Sequence, residues 1–180
     1  MSQIKIPPPG LVFASFLYNK DFCQEEKLIT FWPTIYGEPT YFTHSFCPMK
    51  RYYSDEMGEI NRLERFFLVG QTPTDRSELK QAKFWAIETE EKFLNKETQK
   101  RALNLDVGML TLENIQLATG KNFTHRVYLG DGIFSDLTLI YQRNNFQTLP
   151  WSYPDYSHPE VMGFFKERRK FLQSIIVNHY

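Results

Sequence analysis

Residues 104–156 read NLDVGMLTLENIQLATGKNFTHRVYLGDGIFSDLTLIYQRNNFQTLPWSYPDY, and the second half of that stretch decides the fold. Ile133, Ser135, Leu137, Leu139 and Tyr141 alternate with Phe134, Asp136, Thr138, Ile140 and Gln142. A period of two sends successive side chains to opposite faces, so this run is a strand with one better-buried face. Gly130-Asp131-Gly132 leads into it and Asn144-Asn145 leads out, both turn chemistries that tolerate positive φ. With residues 125–129 before it and 146–149 after it, the segment predicts a three-stranded antiparallel meander. Such a sheet is stable only if something covers its apolar face, and helices elsewhere must do so.

Working outward, Pro7-Pro8-Pro9 hold an extended lead-in, and residues 11–18, LVFASFLY, read as a mostly buried first strand. Asn19 or Asp21 can cap a helix to about Tyr36, with Phe22, Ile29, Trp32 and Tyr36 on one stripe. A second strand is expected over residues 41–46 and a third over 65–71, separated by an irregular stretch, 48–63, that carries Tyr52-Tyr53. Asp75-x-x-Glu78 has the form of a capping box and opens a helix to about Leu94. That helix puts Leu79, Ala82, Ala86 and Phe93 inward, and Glu88, Glu90, Glu91 and Lys92 in solvent. A short strand follows at 103–106, then a short helix capped by Thr111 and ending at Gly120. Ser157-x-x-Glu160, with Pro159 in the first turn, opens a final helix whose apolar stripe includes Val161, Phe164, Phe165, Leu172 and Ile175. The order predicts one α+β domain over residues 1–180. Its mostly antiparallel sheet has a ferredoxin-like βαββαβ core, extended by a C-terminal β-meander and a final helix. The two helices opened by capping boxes are expected to share one face of that sheet.

Composition sets limits on function. The chain has 180 residues, 42% of them hydrophobic, enough for one sizeable core. Lys and Arg balance Asp and Glu at 21 each, which argues against nucleic acid or an anionic membrane as a partner. Sixteen Phe and ten Tyr point to an aromatic core. Cys23 and Cys47 have no metal-ligand spacing and are expected to be unbridged thiols, which together with the lack of a secretory layout indicates a cytoplasmic protein. The four histidines are scattered, so no zinc site is expected.

Three segments carry a family resemblance. They are Asn104-Leu105-Asp106-x-Gly108-x-Leu110-Thr111; Ala118-Thr119-Gly120-Lys121-Asn122-Phe123-x-His125-Arg126-x-Tyr128-Leu129-Gly130-Asp131-Gly132-Ile133; and Leu149-Pro150-Trp151-x-Tyr153-Pro154-Asp155-Tyr156. With Tyr52-Tyr53 and Glu56-Met57-Gly58, they resemble a small bacterial family known as domain of unknown function 4416, over nearly the whole chain. The resemblance implies no activity, substrate or catalytic residue. A GTP-binding label attaches to proteins of this kind, and the residues give it little support. A P-loop ends in Gly-Lys-Ser/Thr, with a Gly five positions earlier. Here Gly120-Lys121 is followed by Asn122 and preceded at that distance by Ile115. Asn19-Lys20-Asp21 has the flavour of a guanine-reading loop, but Phe22 stands where the acid belongs.

Candidate binding residues concentrate at the ends of the predicted strands: Asp106, Lys121, His125, Arg126, Asp136, Trp151, Tyr153 and Asp155, with Asp131 nearby. Lys and Arg donate to phosphate or carboxylate, and His can move a proton near neutral pH. If both lie in the strand, His125 and Arg126 face opposite sides, so one of them is structural. Arg126 has a bland alternative as an ion pair with Asp136, and His125 as a strand-end histidine bonded to a carbonyl. The run from Trp151 to Tyr156 is either a pocket wall or a plug at the sheet edge. Carboxylates from separate strands offer oxygens for Mg²⁺, though their spacing does not require it. Two readings follow: a protein that binds a small anionic ligand, phosphate- or nucleotide-like, near the meander, or a non-catalytic interaction or scaffolding module. An enzyme acting on phosphate esters is a special case of the first.

Overall fold

The apolar run LVFASFLY forms the centre of the molecule. In the computed structural model, which describes residues 3–43, 50–94 and 100–179, the elements follow in the order β1 (Leu11–Asn19), α1 (Glu25–Ile29), β2 (Thr40–Thr43), α2 (Lys50–Met57), β3 (Leu63–Val69), α3 (Leu79–Glu91), β4 (Leu103–Leu110), β5 (Asn114–Thr119), β6 (Arg126–Gly130), β7 (Ile133–Gln142), β8 (Asn145–Thr148) and α4 (Pro159–His179). The strands form one eight-stranded sheet in the order β2-β3-β1-β4-β5-β7-β6, with β8 also on β7. Every strand pairing is antiparallel. The protein is therefore α+β with an open antiparallel sheet and a C-terminal helix.

All nine residues of β1 are buried, because helices cover both of its faces. Val12, Ala14, Phe16 and Tyr18 enter one apolar cluster with Leu28 of α1 and with Leu79, Ala82 and Ala86 of α3. Leu11 and Phe13 enter a second, with Val161, Phe165, Leu172 and Ile176 of α4. The expectation that α3 and α4 share a face is thus wrong. A strand that is apolar on both faces needs cover on both sides, and the two long helices supply one side each.

The two hairpins of the expected meander form, but the meander does not: β5 takes one edge of β7, so β6 and β8 share the other, β6 opposite Ile133 to Asp136 and β8 opposite Leu139 to Gln142. β6 begins at Arg126, so His125 precedes the strand. The β7–β8 turn is Arg143-Asn144, with φ of 51° and 60°, rather than Asn144-Asn145. Gly130, Asp131 and Gly132 all have positive φ, as that turn sequence implies.

Four expectations fail locally. The helix to Tyr36 stops at Ile29; a 3-10 turn, Thr34–Tyr36, follows Pro33, and Phe22, expected inside, is 74% exposed. The irregular stretch contains α2, held by Tyr53 and Met57 against Leu17 and Leu63. The helix expected after Thr111 is β5. Thr111 Oγ1 accepts from the backbone N–H groups of Glu113 and Asn114 at 3.2 and 3.0 Å, closing the β4–β5 hairpin. Finally, Ser157 does not cap α4; its hydroxyl donates to Tyr153 O at 3.1 Å. Asp75 does cap, accepting from Ser77 N at 2.8 Å at the head of a 3-10 turn that leads into α3. Residues 44–46 of the expected second strand, and Cys47, lie outside the described residues. Cys23 is a buried free thiol, its pKa pushed up to about 11 by burial. Among the described residues, no helix is long and apolar enough to cross a membrane.

Candidate functional site

The sheet is continuous except at one seam. β4 and β5 pair only over Gly108–Leu117, Met109–Gln116 and Leu110–Ile115. The backbones come so close there that a Cβ on Gly108 would sit 2.2 Å from the Phe13 ring and 2.5 Å from Gln116 O. Before Gly108, β4 stays with β1, from Leu103 opposite Tyr18 to Val107 opposite Ala14. After Leu117, β5 stays with β7, Ala118 opposite Ser135 and Thr119 opposite Phe134. The two strands part, and a cleft of about 560 Å³ opens between them, bounded by α3, α2 and the chain around Tyr153.

A buried arginine lies beneath its floor. Arg65 opens the apolar run of β3, and its side chain is almost wholly buried. Its Nη1 donates to Ser15 Oγ at 2.6 Å, its Nη2 lies 3.1 Å from Asp155 Oδ2, and Nη1 is 3.9 Å from Asp106 Oδ2. Asn104 Nδ2 donates to the same Asp106 oxygen at 3.0 Å. A charged guanidinium in an apolar sheet needs a carboxylate beside it, and Asp155, itself 2% exposed, provides one. Burial pushes the Asp155 carboxyl above its ordinary pKa; Arg65 opposes that rise and Asp106 adds to it. Asp155 lines the cleft, and its Oδ1 is buried with no hydrogen-bond partner among the described residues.

Arg126 organises the far wall. Nε donates to Asp136 Oδ2, Nη1 to Lys121 O and Nη2 to Tyr153 Oη, each at 2.9 Å. The ion pair with Asp136 is therefore real, and Arg126 also ties the β5–β6 loop to the segment after β8. Because His125 precedes β6, it is not forced to the opposite face. Its Nε2 lies 3.2 Å from the same Asp136 oxygen, and its ring stacks on Trp151 at 4.7 Å and 13°. Trp151 and Ser152 occupy the gap on the outer edge of β7 between its β6-paired and β8-paired halves. Trp151 Nε1 donates to Leu137 O at 2.7 Å and Ser152 Oγ to Thr138 O. That part of the proline-held segment is a sheet-edge plug.

The near wall comes from α3 and α2. Glu90 Oε1 accepts from Leu105 N at 2.6 Å and lies 3.9 Å from Arg101 Nη1. Burial raises its pKa; nearby Lys83 and the Leu105 N–H oppose the rise. Arg101 also pairs with Glu56 at 2.8 Å and covers the Tyr53 ring. Burial pushes the Tyr53 hydroxyl well above its ordinary pKa. Lys83 and Lys121 line the cleft too, and neither amine has an ion-pair or hydrogen-bond partner among the described residues.

Of the residues marked from sequence, Asp106, Lys121, Arg126, Asp136, Tyr153 and Asp155 all line this cleft. His125 and Trp151 do not line it; they stand behind Asp136. Asp131 is elsewhere, paired with Lys80 at 2.7 Å. Sequence reasoning missed Arg65, Lys83 and Arg101, and it placed Glu90 in solvent. Arg65 had a usable signal, a charge directly before the apolar run Phe66 to Val69 that calls for a buried partner. Among the described residues no group of three or more His, Cys, Asp or Glu is arranged to hold a metal ion.

Fold and cleft together define an α+β protein whose antiparallel sheet splits around a polar, tyrosine-lined cavity. The chain belongs to the family described as Domain of unknown function (DUF4416), whose model matches residues 8–171. No curated protein and no solved structure matches it.

Proposed function

We propose that the seam cleft binds a small anionic ligand, phosphate- or nucleotide-like. One observation carries this reading: among the described residues, Lys83 and Lys121 are unpaired amines on a cleft whose lining arginines already have carboxylates, Arg101 with Glu56 and Arg126 with Asp136. Unpaired ammonium groups beside a cleft offer charge-assisted hydrogen bonds to an incoming anion. The volume lies within the range of about 300–1,000 Å³ typical of small-molecule sites. Thermal shift against inorganic pyrophosphate tests it, since a ligand of the native state raises Tm. The Tm should rise with pyrophosphate and not with equal ionic strength of chloride. The Lys83→Ala/Lys121→Ala pair should bind about tenfold or more weakly, as expected for lost charged hydrogen bonds. An unchanged response in that double variant removes the reading.

The first half of the chain reads as a ferredoxin-like βαββαβ core within a single domain over residues 1–180. The order β2-β3-β1-β4, with α1 and α3 packed into one apolar cluster, supports this. A cytoplasmic setting is supported by the buried Cys23 thiol. The second functional reading, an interaction module, is favoured by one feature: Val127, Tyr128 and Leu129 are exposed on edge strand β6. Light scattering of the purified chain tests it in its simplest form, a second copy on that edge.

A further inference from the structure

The two cleft lysines account for an anion but leave the floor unexplained. Asp155 lines the cleft and is 2% exposed, and its buried Oδ1 has no donor among the described residues. A buried acceptor left unmade costs free energy comparable to a lost hydrogen bond, so such an atom marks a place where something else donates. Asp106 lies on the same floor with its side chain 35% exposed, its Oδ2 engaged by Asn104. Two carboxylates therefore line the floor, Asp106 partly open and Asp155 with an unsatisfied oxygen just beneath the surface, while the lysines offer donors.

The kind of donor is set by Arg65. Its guanidinium lies 3.1 Å from Asp155 and 3.9 Å from Asp106, so both carboxylates already share a cation. A second cation, such as a ligand ammonium, would be placed close to that guanidinium in a poorly solvated site and be repelled by it. A neutral hydroxyl donates to a carboxylate without that penalty. The rings of Tyr52 and Tyr153, which also line the cleft, offer apolar surface with polar tips, suited to a body that is neither charged nor greasy.

Resting on the anion-binding reading above, we propose that the ligand is a sugar phosphate, its phosphate held by Lys83 and Lys121 and its hydroxyls donating to Asp106 and Asp155. Arg65 acts as a positioning residue: it holds Asp155 in its buried place and keeps the floor selective for neutral donors.

Calorimetric titration of the full chain with ribose 5-phosphate and with propyl phosphate tests this. The two probes share a phosphate monoester and differ in the hydroxyls. Ribose 5-phosphate is expected to bind more tightly by about tenfold or more, because a site built for hydroxyls leaves its acceptors unpaired when they are missing. Asp106→Ala should cut that preference to within about threefold, the loss expected for one hydrogen bond to a charged group. The Lys83→Ala/Lys121→Ala pair should weaken both probes alike. If both probes bind the native chain equally, the hydroxyl inference falls and the anion reading stands. If neither binds, both fall. A preference that survives Asp106→Ala undiminished also overturns the floor assignment. Asp106→Asn replaces the alanine variant if circular dichroism shows that the latter has not folded.

Discussion

The two halves of this sheet are made of the same material and live in different environments. In β1 every residue is buried between two helical layers. In β6 Val127, Tyr128 and Leu129 are exposed, although the strand is as apolar as many buried ones. The difference is in what lies over them. The β2-β3-β1-β4 half has α1 and α3 on one face and α4 against the other, whereas β6 hangs on β7 alone. A strand's stability comes from the layers above and below it more than from its own residues. The seam where β4 leaves β5 is the border between the halves, and the cleft opens there.

The comparison breaks first, and hardest, in the covered half. Phe165 is fully buried, with its ring 4.8 Å from Phe13 and 6.0 Å from Phe67. Phe165→Ala should cost about 3–5 kcal/mol in chemical denaturation, the usual loss for a large core ring. A loss below about 1 kcal/mol would mean that α4 does not seal that face.

A loss of similar size should follow at the border, but with a different signature. Arg65→Met leaves the Asp155 carboxylate buried without its ion pair, a change worth about 3–5 kcal/mol at neutral pH. The pH dependence follows from the direction of the Asp155 shift. Its folded pKa is already raised above the unfolded value, and Arg65 is what opposes the rise; removing Arg65 raises it further. With the folded pKa the higher one, the native state holds the extra proton between the two values. Stability therefore falls as pH rises through that window, and the penalty vanishes below the ordinary carboxyl value. Arg65→Met should thus regain stability on acidification, while Phe165→Ala should not share that gain. Parallel curves for the two variants would show that the ion pair does not matter to the floor.

These features were unequally legible in the sequence. The hairpins on either side of β7 were readable because its ends carry turn chemistry, at Gly130-Asp131-Gly132 and Arg143-Asn144; that β6 and β8 would share one edge of β7 was not, because edge choice leaves no local mark. β5 was misread for a chemical reason: Thr111 accepts from Glu113 N and Asn114 N, and a helix N-cap uses the same hydroxyl in the same way. The residues that follow, Asn114 to Thr119, are too few for the period to settle the matter. α2 was hidden because only Tyr53 and Met57, four residues apart, reach the core, so it shows no stripe. As for the cleft, the polar residues at strand ends pointed to it, but the parting of β4 from β5 could not be read. Nothing local marks the residue at which two strands cease to pair; that depends on which neighbour each keeps. Lys83 and Glu90 accordingly looked like any polar positions on an amphipathic helix.

A smaller effect is expected at the hairpin that joins the halves. Thr111 is fully buried. Thr111→Val keeps the shape and removes the acceptor for two backbone N–H groups, which should cost about 1–2 kcal/mol. Hydrogen exchange should show the loss as faster exchange at Glu113 and Asn114, with β1 unchanged until global unfolding. Protection lost equally everywhere would mean the halves do not open separately.

The smallest effect belongs to the uncovered edge, and it also separates the two functional readings. Val127 is 66% exposed on a strand bonded along one edge only. Val127→Thr keeps the β-branched shape that suits a strand and replaces one methyl with a hydroxyl that water can solvate. If β6 is free in solution, the change should lie within about 0.5 kcal/mol, as for surface positions generally, and should not depend on protein concentration. The wild-type edge is apolar and lacks the lysines or proline that commonly guard such strands, so it has the makings of an association surface. If a second copy does cover it, unfolding midpoints of the wild type will rise with concentration, and Val127→Thr will lower them most at the highest concentration. A flat profile for both proteins leaves β6 an exposed edge and counts against association through it.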